Sequence, residues 1–429
     1  MSPRTAALVV LAVLIVAAGV AALSLVPWRA APAPRADQLD ALRQLPPDEV
    51  ARGRAFRSDL RPATYASMGV GLVAAVVLGL TPLGARIVAL FGGNWAVRAA
   101  VGGLAVVLIS SLVTLPFSMW RKVVLTRYGL STQGWGGWAV DQLKGYGIGA
   151  VLGGLALLAF YAVARYAPDW WWAWSAAGAA GLTVLLSFVF PVLFEPIFNK
   201  FTPMAEGQLR TDLMTLAADD RVPVRDVLVA DASRRTRAVN AYVSGFGATR
   251  RIVVYDTLID RADPAEVRSV VAHELGHAKR RDVVTGTVLG ALGTAIAVVV
   301  VYLLDSWHGL LRLAGVTSVA EPRSVALLLA VAALAGLATG PAQSLVSRRV
   351  EARADTHALT LTRDPATFIA THARLFATNL ADPDPNRIEH LLFASHPSTV
   401  ERIAAARAYA RDAGLRHDPA AAGPPEGAG

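Results

Sequence analysis

The stretch Val271-Ala272-His273-Glu274-Leu275-Gly276-His277 contains the pattern H-E-x-x-H. On a helix, His273 and His277 fall at i and i+4, so both imidazoles leave one face. Two neutral ring nitrogens at that spacing can hold one Zn²⁺. Glu274 then stands beside the ion, where it can take a proton from water. Helix is the expected state here. Asp263-Pro264-Ala265-Glu266 supplies an N-cap, a proline at the first helical position and an acidic residue in the first turn. Such a pentapeptide also arises by chance on structural helices, so the rest of the chain must supply a third ligand and a setting.

A catalytic zinc takes three protein ligands and leaves one position open. Cysteine is absent from the 429 residues, which removes disulfides, thiolate ligands and cysteine nucleophiles together. No third histidine follows at the spacing of metzincins, so a later carboxylate is the better candidate. Glu351 is assigned to the metal. Asp355, one helical turn further on the same face, is placed behind an imidazole, where it would accept an N–H and fix the tautomer. Composition alone would instead favour an ion pair of Glu351 with Arg348 or Arg349.

The elements that must bring these residues together are apolar. Hydrophobic residues make up 54% of the chain and charged residues 17%, which is membrane composition. Seven stretches are long enough to cross a hydrocarbon core of roughly 30 Å. They are Ala6–Val26, Tyr65–Phe91, Ala96–Phe117, Gly145–Tyr166, Trp170–Val192, Val283–Leu304 and Val325–Val346. The first is long for a signal peptide and is read as a retained span, although small residues around Ala30-Ala31-Pro32-Ala33 would suit cleavage. Net charge is +9, yet the basic residues lie beside apolar spans rather than among aromatics on a soluble surface. That pattern fits membrane topology and argues against nucleic acid. Arginine and lysine crowd the segments after spans one, three and five and the C-terminal region. The N-terminus is therefore expected outside, with the C-terminus cytoplasmic. Trp170, Trp171, Trp172 and Trp174 are expected to anchor the outer interface.

Both large polar regions fall on the inner side. The first should hold a helix near Ala205–Ala217, strands near Asp226–Ala230, Val239–Ser244 and Arg251–Asp256, and then the motif helix. The second is expected to be helical to about Ala410, broken by the loop Ala381-Asp382-Pro383-Asp384-Pro385-Asn386, with a disordered tail from Asp418. The motif helix runs almost directly into span six. A helix leaving span seven continues through Ser347-Arg348-Arg349-Val350-Glu351. Spans six and seven form a hairpin, so Glu351 is brought near His273 and His277 by topology.

Ser347-Arg348-Arg349-Val350-Glu351-Ala352-Arg353-Ala354-Asp355 resembles the S-R-x-x-E-x-x-A-D element of the type I CAAX prenyl endopeptidases, which are integral-membrane gluzincin zinc metalloproteases. Further stretches match that family in the same order. They are Leu115-Pro116-Phe117-Ser118 with Tyr128-Gly129-Leu130-Ser131, then Phe194 to Pro203, Asn240 to Phe246 with Arg251 to Leu258, and Ser395-His396-Pro397-Ser398-Thr399-Val400-Glu401-Arg402. The resemblance implies one Zn²⁺ per chain, held by His273, His277 and Glu351. It implies Glu274 as general base, and His396 and Arg402 as catalytic groups that stabilise the oxyanion or hold substrate. It implies Asn240 as a substrate-backbone contact beside an edge strand. Taken alone, His396 would read as a capping or core histidine and Asn240 as a turn residue.

The expected fold is mainly α and integral to the membrane: seven transmembrane helices form a chamber, capped on the inner face by a small α+β zincin-like metalloprotease domain. Residues 1–193 carry spans one to five. Residues 194–282 carry the hairpin and motif helix, 283–346 spans six and seven, 347–417 the rest of the metalloprotease domain, and 418–429 the tail. The expected activity is metal-dependent peptide hydrolysis in the cell membrane, on a peptide or protein substrate that is membrane-associated or lipidated. Two alternatives stand beside it: a heat-shock-type quality-control metalloprotease, and a non-enzymatic peptide-binding scaffold. The alanine-, arginine- and glycine-rich composition points to a bacterial member, where prenylated C-a-a-X substrates are not expected. Chemistry thus transfers from the resemblance better than substrate does.

Overall fold

A computed structural model describes residues 1–29 and 32–415. The tail expected from Asp418, and the Ala30-Ala31 pair of the cleavage alternative, lie outside the described residues. Seven helices are long and apolar enough to cross a membrane: Pro3–Leu25, Pro47–Gly79, Trp95–Arg127, Trp135–Tyr166, Trp171–Phe198, Asp282–Leu304 and Pro322–Thr362. All seven coincide with stretches expected from hydropathy.

Two departures have local causes. The second span was expected to run to Phe91 but ends at Gly79. A separate helix, Pro82–Ala89, then begins with Pro82 at its first position and the Thr81 side chain accepting from the Leu83 N–H. Proline lacks an N–H and drives the preceding residue out of the helical region, and Thr81 is indeed extended at φ −130°. The tryptophan cluster also divides. Trp171 and Trp172 are buried against Tyr302 of span six, so only Trp170 and Trp174 are left exposed for an interface.

The polar residues build one domain around a four-stranded sheet. Its strands are β1 (Phe201–Pro203), β2 (Asp226–Ala230), β3 (Ala241–Ser244) and β4 (Arg251–Tyr255), in the order β1-β2-β4-β3. β2 and β4 run parallel, whereas β1 and β3 pair antiparallel on the two flanks, so β3 is an edge strand. β1 was not expected; three residues are too short to show a period-2 pattern.

Helix Pro264–Arg280, the motif helix, lies in this domain's core. Its start is fixed by a capping box in which the Glu266 carboxylate accepts the Asp263 N–H at 2.9 Å. Val267, Val271 and Leu275, at i, i+4 and i+8, are fully buried. They pack in one cluster with Leu213, Ile252, Val254, Phe368, Phe376 and Ile403. Each such side chain contributes about 1.5–3 kcal/mol by leaving water. The helix stops at Arg281, which adopts the left-handed conformation at φ 56°, and Asp282 starts span six.

The helix of span seven continues past the apolar stretch to Thr362 and crosses the motif helix at Gly276. A Cβ on Gly276 would meet the His357 side chain at 3.1 Å. That ring cannot easily yield, because its Nε2 is held 3.0 Å from the buried carboxylate of Asp220, which also pairs with Lys279. Gly276→Val should therefore force apart the two helices that carry the expected ligands, lowering stability by about 1–3 kcal/mol. Thermal unfolding of the detergent-solubilised protein should show a lowered Tm, and zinc titration of the same variant weaker binding.

Candidate active site

The two helices that meet at Gly276 carry the three expected ligands. His273 Nε2 and His277 Nε2 stand 3.1 Å apart, and Glu351 oxygens lie 3.4 Å from the first and 3.5 Å from the second. One ligand atom from each residue falls within 4.8 Å of the others. Donors at about 2.0–2.1 Å from a tetrahedral ion are separated by about 3.3 Å, so this triangle fits one metal ion of zinc's size. The donor chemistry fits as well. Two imidazole nitrogens face each other at 3.1 Å, and a carboxylate completes a nitrogen-and-oxygen set suited to a metal ion.

Acids behind each ring present these nitrogens. Asp282 Oδ2 is 2.9 Å from Nδ1 of His277, and Asp355 Oδ1 is 2.9 Å from Nδ1 of His273. The His273 contact lies at ion-pair distance rather than in the line of an aligned hydrogen bond. Both contacts leave Nε2 pointing inward. Asp282 was not singled out by the sequence. Its position five residues after His277, just beyond the left-handed Arg281, turns it back onto the ring, and periodicity cannot show that reversal. Asp282 is itself gripped by Arg353.

Glu351 is contacted from the other side by His396 and Arg402. His396 Nδ1 lies 2.7 Å from Glu351 Oε2, and the His396 side chain is 62% exposed. Arg402 is buried and spans two acids, donating to Glu351 at 2.9 Å and to Asp355 at 2.8 Å. Arg348 donates elsewhere, to the carbonyls of His390 and Ala394. The ion pair that composition favoured for Glu351 is thus made with Arg402 instead.

These residues open on a cavity of about 680 Å³. Glu274 lines it, and burial pushes its carboxyl up from the usual range, opposed by the two nearby histidines. A carboxylate raised in this way is a better proton acceptor. His372, not singled out by the sequence, lines the cavity too. Burial and Arg402 push it down to about 3, so its ring is neutral at physiological pH. Asn240 stands at the cavity edge immediately before β3, where its carbonyl accepts the Tyr255 N–H. The Asn379 side chain fixes the neighbouring Val239 by accepting its N–H at 3.0 Å. The opposite wall comes from the second span's helix, through Arg57, Arg61, Tyr65 and Met68.

An integral-membrane helical bundle carrying an H-E-x-x-H helix and a distant glutamate defines a membrane metalloprotease. Residues 64–200 match the family profile described as CAAX prenyl protease N-terminal, five membrane helices, and residues 203–410 match peptidase family M48. The uncharacterized metalloprotease YhfN of Bacillus subtilis is 31% identical over 301 residues, covering 69% of this chain and 70% of that protein. A CAAX prenyl protease 1 homolog of Arabidopsis thaliana is 35% identical over 176 residues, 40% of this chain and 41% of its own length. CAAX prenyl protease 1 of Saccharomyces cerevisiae is 31% identical over 189 residues, 43% of this chain and 42% of its own. The alignment thus spans about two-fifths of these two eukaryotic relatives. The crystal structure of S. mikatae Ste24p superposes with a TM-score of 0.66 at 24% identity, covering 75% of this chain and 79% of that one, which shows the shared fold. The chain belongs to peptidase family M48. It is a multi-pass membrane metalloendopeptidase.

Replacing Asp282 or Asp355 by Asn keeps the shape behind each imidazole but removes the charge that orients it. Each change should weaken metal binding about 10- to 100-fold. Competition with a chelator of known affinity reads the shift directly.

Proposed function

We propose that this protein is a zinc-dependent endopeptidase of the cell membrane, with its N-terminus outside and its catalytic domain and C-terminus in the cytoplasm. The observation that carries the reading is the convergence of His273, His277 and Glu351 on one point, beside a cavity whose edge includes Asn240, just before β3. Their nitrogen-and-oxygen set suits Zn²⁺, one per chain. When bound, zinc supplies Lewis-acid polarisation of the scissile carbonyl and lowers the pKa of the attacking water.

The chain's own groups do the rest. Glu274 takes the proton from water and returns it to the leaving amine. His396, the exposed ring at the cavity mouth, donates toward the negative charge that develops on the carbonyl oxygen. Arg402 keeps Glu351 and Asp355 ionised and oriented, and its charge adds to the potential felt at the oxyanion. Asn240 and the free edge of β3 offer backbone-type partners to an extended peptide, which would add as a further strand.

The substrate class follows from where the cavity lies. One wall is the second span's helix, including Tyr65 and Met68, and the polar wall is the catalytic domain. A peptide or protein held at the cytoplasmic face of the bilayer, with or without an attached lipid, would reach both. The eukaryotic relatives carry names that refer to CAAX prenyl substrates; here the matching chemistry is peptide-bond hydrolysis beside a membrane.

Glu274→Gln removes the base but none of the ligands. It should bind zinc as the parent does and lose hydrolysis by about 10²–10⁴-fold. Parent and variant are compared on a fluorogenic peptide with metal content measured in parallel. A folded, zinc-loaded Glu274→Gln that cleaved at the parent rate would remove Glu274 from the mechanism.

A further inference from the structure

The cavity wall formed by the second span's helix carries Arg57, Arg61 and Tyr65 at i, i+4 and i+8, all on one face. Arg61 is engaged: it pairs with Glu389 at 2.7 Å and with Asp382 at 3.5 Å. Asp382 is also approached by Arg54 at 3.8 Å. On the facing wall Glu351 is held by His396 and Arg402. Glu274 is reserved for proton transfer. Among the described residues, Arg57 makes no hydrogen bond and no ion pair, although it is half-buried and lines this same cavity. Its guanidinium lies 5.9 Å from the ring of the buried Phe56, and Glu389 and Asp382, both engaged by Arg61, reach it through charge alone.

A guanidinium withdrawn from water without an acceptor is costly, and its planar fork fits a carboxylate through two parallel N–H donors. The carboxylates that line the cavity, Glu274 aside, bond to other groups, which leaves the fork of Arg57 open to a carboxylate that arrives with the substrate. We propose that Arg57 receives a carboxylate of the bound peptide, making it a substrate-binding, specificity-determining residue of the protease. This inference rests on the endopeptidase reading above. The cavity of about 680 Å³ holds a short peptide segment, so the carboxylate sits within a few residues of the scissile bond. Two sources share this chemistry: the peptide's C-terminal carboxylate and an acidic side chain.

The test uses the full chain in detergent and three fluorogenic peptides of one sequence. One ends in a free acid, one in an amide, and one in an amide with a single Asp moved through the positions flanking the cleaved bond. The parent should cleave the acid peptide or the Asp peptide with kcat/KM about 10- to 100-fold above the plain amide, mostly through KM. Arg57→Gln should cleave the favoured carboxylate peptide more slowly and bring it to equality with the plain amide. Rescue of the amide by the Asp peptide identifies a side-chain carboxylate as the source, and no rescue identifies the C-terminus. Arg57→Lys keeps the charge but not the fork, so it should show a reduced preference. If Arg57→Gln fails to fold, that reduction decides. Equal rates on the acid, plain amide and Asp peptides in the parent, or a carboxylate preference unchanged in the folded variants, overturn the proposal while leaving the protease reading in place. Absence of any chelator-sensitive cleavage by the parent overturns both.

Discussion

The structure depends on one carboxylate. Glu351 faces His273, His277, His396 and Arg402 within 3.5 Å, at the point where the helix leaving span seven meets the motif helix. A buried carboxylate is expensive unless charge surrounds it. Here positive or donor groups arrive from three separate segments of the chain. The last helix, Thr399–Ala413, is thereby tied to the other two through Arg402. Losing Glu351 would remove a proposed ligand and also leave Arg402 with a single acid to satisfy it.

The surrounding packing serves that convergence. Gly276 allows the two helices to approach, while Asp220 holds His357 and Lys279 behind the contact. Arg281 breaks the chain so that Asp282 can reach back to His277 before entering the membrane. The catalytic domain is thus not a soluble unit resting on a membrane anchor. The motif helix leads into one membrane span, Glu351 stands on the extension of another, and the cavity takes one wall from a third.

Much of this was legible in the sequence because it is written in local signals. The cap at Asp263, the i and i+4 histidines, the apolar period of the motif helix and the length of each span are all contained within a few turns. Strand β2 was placed at Asp226–Ala230 for the same reason, since it is a short apolar run between Asp226 and Asp231. Glu351 was accessible only through topology, from the hairpin of spans six and seven. What escaped depends on contacts across long stretches of chain. Asp282 folds back through a left-handed residue, Trp171 and Trp172 are covered by Tyr302, and β1 exists only because β2 lies beside it. Arg57 looked like one of many arginines obeying a charge rule until its neighbour Arg61 was found to hold the nearby acids.

The central claim is that two imidazoles and one carboxylate, drawn from two helices, hold a single metal ion. X-ray absorption at the zinc edge of the purified, zinc-loaded protein tests this most directly. The account predicts one zinc per chain with two histidine nitrogens and at least one carboxylate oxygen at about 2.0–2.2 Å, and loss of bound zinc in Glu351→Ala. A shell containing three imidazoles, with His396 or His372 in the place given to Glu351, would contradict it. So would full zinc occupancy in Glu351→Ala.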